Sequence, residues 1–294
     1  MTLFFAIFSA SPIEAILKNM IVRTMQSLNA FLSFLTMRYE TIEVYIENEI
    51  ATILLNRPER LNSFDLKLGD ELYDALRSLS NDSDVRVVVI KGKGKGFCGG
   101  GDVKEMYAAD DKPHFLRELT KAIHKCVIEI RKMKKPVIAA VNGYAYGAGF
   151  SLVLACDLVI AVKDAKFNTA FVNIGLAPGC GTYFITRSMP YQRACELVLT
   201  AKTFNAQEAF DMGLVNKVVD DLDAAIDEYA SKFKKLPPLA VGMAKMLLNE
   251  GMQNDLINHL ELESETASLS AGSEDFFEGV KAFVEKRKAV FKGK

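Results

Sequence analysis

G-K-G-K-G-F-C-G-G-G-D-V-K-E-M, residues 92–106, and N-G-Y-A-Y-G-A-G-F-S, residues 142–151, are the two stretches on which the reading of this chain turns. Each follows a short unbroken apolar run, V-V-V-I at 87–90 and V-I-A-A-V at 137–141. Runs of that kind read as strands buried on both faces. Glycine lets a ligand approach backbone N–H groups closely. A glycine turn that opens a helix also aims free N–H groups and the positive end of the helix dipole at an anion. Two such turns at the ends of neighbouring strands can converge their N–H groups on one oxygen, which is the arrangement of an oxyanion hole.

Working outward, residues 41–57 read as a β-hairpin: Ile42, Val44 and Ile46 alternate with polar neighbours, Glu47 to Glu49 make the turn, and residues 50–55 return. Leu68, Leu72, Leu76 and Leu79 recur at helical spacing, with Ser63 or Asp65 as the N-cap. A helix is expected over about 115–134, a buried helix over 149–156 and a strand over 158–162. Asn205 caps a short helix ending at Gly213, residues 215–219 form a last strand, and helices follow. This alternation predicts an α/β core of βαβ units. The expected division is an extension over 1–36, a sheet-bearing core over 37–230 and a helical part over 231–294.

Composition narrows the function classes. With 36 basic and 37 acidic residues the formal charge is -1, which offers no global basic field for nucleic acid. Five cysteines without a C-x-x-C pair, and only three histidines, argue against a structural zinc site and a disulfide framework, and fit a reducing compartment. The apolar run at 2–10 is too short to span a bilayer and lacks a basic flank. The functional domain is expected to start at Met37, with 1–36 dispensable. The expected compartment is the cytoplasm, or an organellar matrix if the acid-poor 1–36 is a transit peptide.

Gly94, Gly96 and Gly99 match G-x-G-x-x-G, the dinucleotide fingerprint. The match lacks its context, since a long helical stretch follows and no strand is expected before Val137. A nicotinamide oxidoreductase therefore rests on the fingerprint alone.

The ordered set of residues 96–106, 136–157 and 206–219 resembles the enoyl-CoA hydratase/isomerase (crotonase) family, with L-N-R-P at 55–58 and A-F-V-E-K-R at 282–287 fitting its first strand and its C-terminal helix. The resemblance implies a spiral of ββα units with a helical C-terminal trimerisation region, in trimers or hexamers. It also implies an acyl-CoA thioester as substrate, with coenzyme A entering as part of that substrate and no separate cofactor or metal. By position the oxyanion-hole N–H groups fall to Gly101 and Ala148. Contacts to coenzyme A fall to Arg60, Leu61, Gly99, Asp102 and Val103, and Phe283 and Lys286 match positions that reach the coenzyme A of a neighbouring subunit. Lys91, Lys93 and Lys95 read as a solvated turn in preference to a phosphate clamp.

The departures concern the acids. The two hydratase glutamate positions hold Ser151 and Phe171, and the position after Pro178, where related isomerases carry an acid, holds Gly179. None is a carboxylate, so water addition to crotonyl-CoA is expected to be weak. The surrounding text is closest to the 2-(1,2-epoxyphenyl)acetyl-CoA isomerase-like branch. Substitute proton carriers to consider are Asp157, Asp102, Glu105, Asp110, Asp111, His114, Cys180 and Tyr183, most with a plain structural reading beside the catalytic one. Isomerase-type proton transfer is the expected chemistry, and the alternative is a catalytically weak acyl-CoA-binding paralogue.

Overall fold

The hairpin forms as its alternation predicts. In the computed structural model, which describes residues 39–294, β1 (Ile42–Glu47) pairs antiparallel with β2 (Ile50–Leu55). The extension over 1–36 and the start at Met37 lie outside the described residues. Asp65 rather than Ser63 is the N-cap of α1 (Leu66–Asn81), accepting from the Leu68 amide at 2.7 Å. Capping of that kind is worth about 1 kcal/mol.

β3 (Val87–Gly92), β5 (Val137–Val141), β7 (Leu158–Val162) and β10 (Lys217–Val219) add in parallel to β2, giving a sheet ordered β1-β2-β3-β5-β7-β10. A second sheet joins β4 (Gly96–Cys98), β6 (Tyr144–Tyr146), β8 (Lys166–Asn168) and β9 (Phe204–Asn205) in that order. Successive turns of chain therefore place one strand in each sheet before a helix, the ββα spiral that the resemblance implies. The four strands of the second sheet lie inside what the sequence presents as glycine turns and loops. At two or three residues each, they are too short to display an alternating pattern.

A short helix, α2 (Val103–Ala108), comes first, and the helix expected over 115–134 is α3 (Lys112–Lys132), the two separated at Ala109 to Asp111. Asp111 starts the second by accepting from the His114 amide. α4 (Ala148–Ala155) is apolar all round and almost wholly buried, as its sequence requires. α5 (Thr182–Ser188), α6 (Tyr191–Thr200) and α7 (Ala206–Asp211) follow, the last capped by the reciprocal Asn205–Glu208 pair. α8 (Leu222–Phe233) covers the first sheet, packing Leu222, Ala225 and Ile226 on Val87, Val89, Ile138 and Ile160.

Only helices come after Val219: α8 itself, α9 (Pro238–Glu250), α10 (Leu256–Ala271) and α11 (Glu274–Val284). Buried Asp275 near the start of α11 accepts from the Lys292 and Gly293 amides, folding the last residues back along the helix. Leu256, Ile257, Leu260, Phe277 and Phe283 of this region are exposed. Among the described residues no helix is long and apolar enough to cross a membrane.

Candidate active site

The two glycine turns meet. β4 and β6 run side by side in parallel, Gly96 opposite Tyr144 and Cys98 opposite Ala145, so the chain leaves both strands at the same edge. Gly100 (φ +105°) and Gly147 (φ +49°) then bend it through backbone conformations that side chains resist. A Cβ placed on Gly100 would stand 3.7 Å from the Gly147 Cα, and one on Gly147 would stand 3.7 Å from the Gly100 Cα. The residues that follow are Gly101 and Ala148.

Phe64 grips the first turn on both sides of Gly101. Its amide donates to the Gly100 carbonyl and its carbonyl accepts from the Asp102 amide, both at 2.7 Å. Ala148 is the first residue of α4, so its amide has no helical acceptor. Among the described residues, neither the Gly101 nor the Ala148 amide donates to a protein acceptor. Unpartnered N–H groups beside a buried helix N-terminus suit an oxygen that carries developing negative charge.

Next to Gly147 lies a small, mostly apolar cavity of about 10 Å³, the space of a single water. Two of the three positions that lack an acid line it. Ser151, 3% exposed, directs its hydroxyl at the Gly147 and Cys180 carbonyls, 3.1 Å from each. Phe171 reaches in from a single-turn helix (Phe171–Ile174), its ring tip 3.9 Å from where a Gly147 Cβ would be. Gly179 sits between the cavity residues Pro178 and Cys180, and a Cβ there would press on the Thr120 methyl at 2.8 Å. Among the described residues no carboxylate lines this cavity. Its titratable side chain is Cys180, whose thiol burial pushes up, partly offset by a hydrogen bond with Ser151.

Sequence reading missed His124. Its Nε2 lies 2.8 Å from the Gly179 carbonyl, which as an acceptor calls for a proton on that nitrogen. Together with Ser151 it holds the loop at 179–181 from two sides. The signal was faint, because the partners are 55 residues apart and only helical spacing relates His124 to Thr120, one turn earlier.

The residues assigned to coenzyme A form a rim beside Gly101. The Gly99 amide donates to the Leu61 carbonyl at 2.8 Å, and Arg60 Nη1 stands 3.9 Å from Asp102 Oδ2. Leu61 and Val103 present exposed apolar side chains there, 49% and 52% accessible. Asn62 ties this rim to the glycine turn, donating to the Lys93 and Gly96 carbonyls at 3.0 Å each. Phe283 and Lys286 are elsewhere, on exposed parts of the C-terminal helix and its end. Lys91 and Lys93 are engaged by Asp223 and Glu43.

The substitute acids are mostly occupied. Asp157 accepts from the Val137 amide at 2.8 Å and pairs with buried Lys245 at 2.6 Å, a structural tie. Asp102 caps α2 and pairs with Arg57 at 3.3 Å. Glu105 is shifted upward by burial and by nearby Asp65 and Asp102. Asp110, Asp111 and His114 are exposed around the start of α3, while Tyr183 is partly exposed and stacked by Arg187, 3.7 Å from its ring centre. The fingerprint glycines do not form a dinucleotide turn, since Gly96 begins β4 and no helix opens until Val103.

Known proteins agree with this architecture. The enoyl-CoA hydratase/isomerase family profile matches residues 45–294. A 1,2-epoxyphenylacetyl-CoA isomerase of Escherichia coli is 36% identical over 87% of this chain and 99% of its own length. A crotonyl-CoA hydratase of Syntrophomonas wolfei is 37% identical over 87% of this chain and 99% of its own. The crystal structure of an enoyl-CoA hydratase from Bacillus anthracis superposes with a TM-score of 0.82 at 34% identity, over 87% of this chain and 100% of that one. With its ββα spiral, its paired glycine turns and these likenesses over nearly all of the described residues, the chain belongs to the enoyl-CoA hydratase/isomerase (crotonase) family of enzymes.

Proposed function

We propose that this enzyme binds an acyl-CoA thioester, places the thioester oxygen between the Gly101 and Ala148 amides, and stabilises the enolate formed when an α-proton leaves. The observation that carries this reading is the contact between the Gly100 and Gly147 turns, each followed directly by a residue whose amide has no protein acceptor among the described residues. An enolate oxygen needs donors already in place, because reorienting solvent would raise the barrier. Coenzyme A lies along the rim formed by Arg60, Leu61, Gly99, Asp102 and Val103, and it is part of the substrate rather than a resident cofactor.

Isomerase-type proton transfer is favoured over hydration. Hydration requires an acid/base pair holding a water, and the cavity offers Ser151 and Phe171 where that pair would be. The relative named as an isomerase supports this reading, although one named as a hydratase is equally similar. The same lack of carboxylates favours a second reading, an acyl-CoA-binding paralogue with little turnover. The exposed apolar residues of α10 and α11 support a homotrimer or a pair of trimers, in which Phe283 and Lys286 meet a neighbour's coenzyme A.

A panel of 2-enoyl-, 3-enoyl- and saturated acyl-CoA esters, assayed without nicotinamide and alongside CoA affinity, tests these readings. Double-bond migration supports the isomerase reading. Binding without turnover supports the paralogue. Absence of binding to any CoA ester defeats both.

A further inference from the structure

Resting on that function, we propose that Phe171 is a fixed gate that limits the enzyme to short acyl groups. The cavity lined by Gly147, the residue before Ala148, has room for one water-sized group, about 10 Å³. Leu154, Ile185 and Val198 line it together with Phe171, whose ring tip would stand 3.9 Å from a Cβ on Gly147. A chain held with its carbonyl between Gly101 and Ala148 therefore meets the ring within a few carbons.

The ring is held by its backbone rather than by a mobile loop. Asn168, 6% exposed, accepts from the Ala170 amide at 2.6 Å and donates to the Ala201 carbonyl and the Thr203 hydroxyl at 2.7 and 2.8 Å. Ala170 takes a left-handed conformation (φ +57°) directly before Phe171. The Phe171 amide donates to the Thr169 carbonyl at 2.7 Å, and the Leu176 amide returns to the Phe171 carbonyl at 3.1 Å. This turn is bonded on both sides of Phe171, so its backbone cannot carry the ring aside without breaking several hydrogen bonds, and the ring moves only by rotation about its own side-chain bonds. A rigid obstruction discriminates by size, and one methylene too many in such a pocket costs about 10–200-fold.

The test compares the full-length protein with Phe171→Ala and with Phe171→Leu, which keeps more of the packing. Exchange of the C2 protons of butyryl-CoA and decanoyl-CoA into deuterated buffer is followed by mass spectrometry, and binding of free CoA is measured by calorimetry. The original protein should exchange butyryl-CoA at least about 100-fold faster than decanoyl-CoA, a gap of the size one or two excess methylenes produce. That ratio should fall by about tenfold or more in Phe171→Ala and by less in Phe171→Leu. Equal handling of the two esters by the original protein, or an unchanged ratio in folded Phe171→Ala, overturns the gate and leaves the enolate reading standing. CoA binding with no exchange of either ester in any of the three proteins overturns the enolate reading, and the gate with it.

Discussion

The Ser151 hydroxyl lies 3.1 Å from the Cys180 carbonyl oxygen and 3.1 Å from the Gly147 carbonyl oxygen, joining the second glycine turn to the loop at 179–181. A hydroxyl has one proton, so it serves these two acceptors one at a time. Where a hydratase needs a carboxylate, this chain has a fastener.

That arrangement predicts the outcome of restoring the acids. Ser151→Glu with Phe171→Glu should raise water addition to crotonyl-CoA by about 10²-fold or more, the range that general acid/base groups contribute. Loss of enoyl absorbance measures it. Each single change should give much less, because one carboxylate cannot both hold the water and deliver the proton. A folded double variant with unaltered hydration would show that the two positions do not face the reacting carbons.

The amide pair predicts a selective loss. Ala148→Pro removes one N–H at a first helical position, where proline is tolerated. Gly101→Pro removes the other. Either change should lower turnover by about 10²–10³-fold while CoA still binds. Kinetics beside CoA titration and circular dichroism check this. Near-normal rates in both folded variants would remove Gly101 and Ala148 from the reaction.

Packing at the base of the second turn predicts a stability loss. A Cβ on Gly149 would collide with the Cys98 carbonyl and side chain, and both belong to a buried strand that cannot yield cheaply. Gly149→Ala should cost about 1–3 kcal/mol in urea unfolding, the usual penalty of overpacking. A midpoint equal to that of the original protein would mean that β4 and α4 slide apart freely.

Acid should release the C-terminal residues before the sheets fail. Glu278 is held down to about 2 by Arg287 and by the Val290 amide, against an ordinary value of 4.5. A carboxylate with a lowered pKa in the fold contributes stability that is fully present above its unfolded value. That contribution fades as pH falls from about 4.5 toward 2. Hydrogen-exchange protection factors, taken against the intrinsic rate at each pH, should fall at the amides of residues 287–292 across that window, and Glu278→Gln should show the same loss of protection at pH 7. Unchanged protection in Glu278→Gln at pH 7 would assign the anchor to Asp275 alone.

The first sheet could be read from the sequence because its strands, apart from β10, are five or six residues long and either alternate, as β1 does, or run mostly apolar. α1 was legible from leucine spacing and its Asp65 cap. The second sheet was not, since G-F-C and Y-A-Y are strands only through their pairing with each other. The glycine turns and the vacant acid positions could be located by order along the chain. The grip of Phe64 on Gly101, the Asn62 bridge and the His124 contact could not, because each joins residues 31 to 55 apart, or faces across the fold without any periodic signature.

The contact between Gly100 and Gly147 also bears on how the sequence can drift. Each turn passes through a positive φ, and a Cβ on either glycine would rest in van der Waals contact with the Cα of the other. A first substitution at either position would strain its own turn, and the shift that relieves the strain would already forfeit most of what the contact provides. A second substitution, at the other glycine, would then have little left to damage. The two positions should therefore behave as one genetic unit, with the double variant about as impaired as the worse single one rather than showing the sum of both losses.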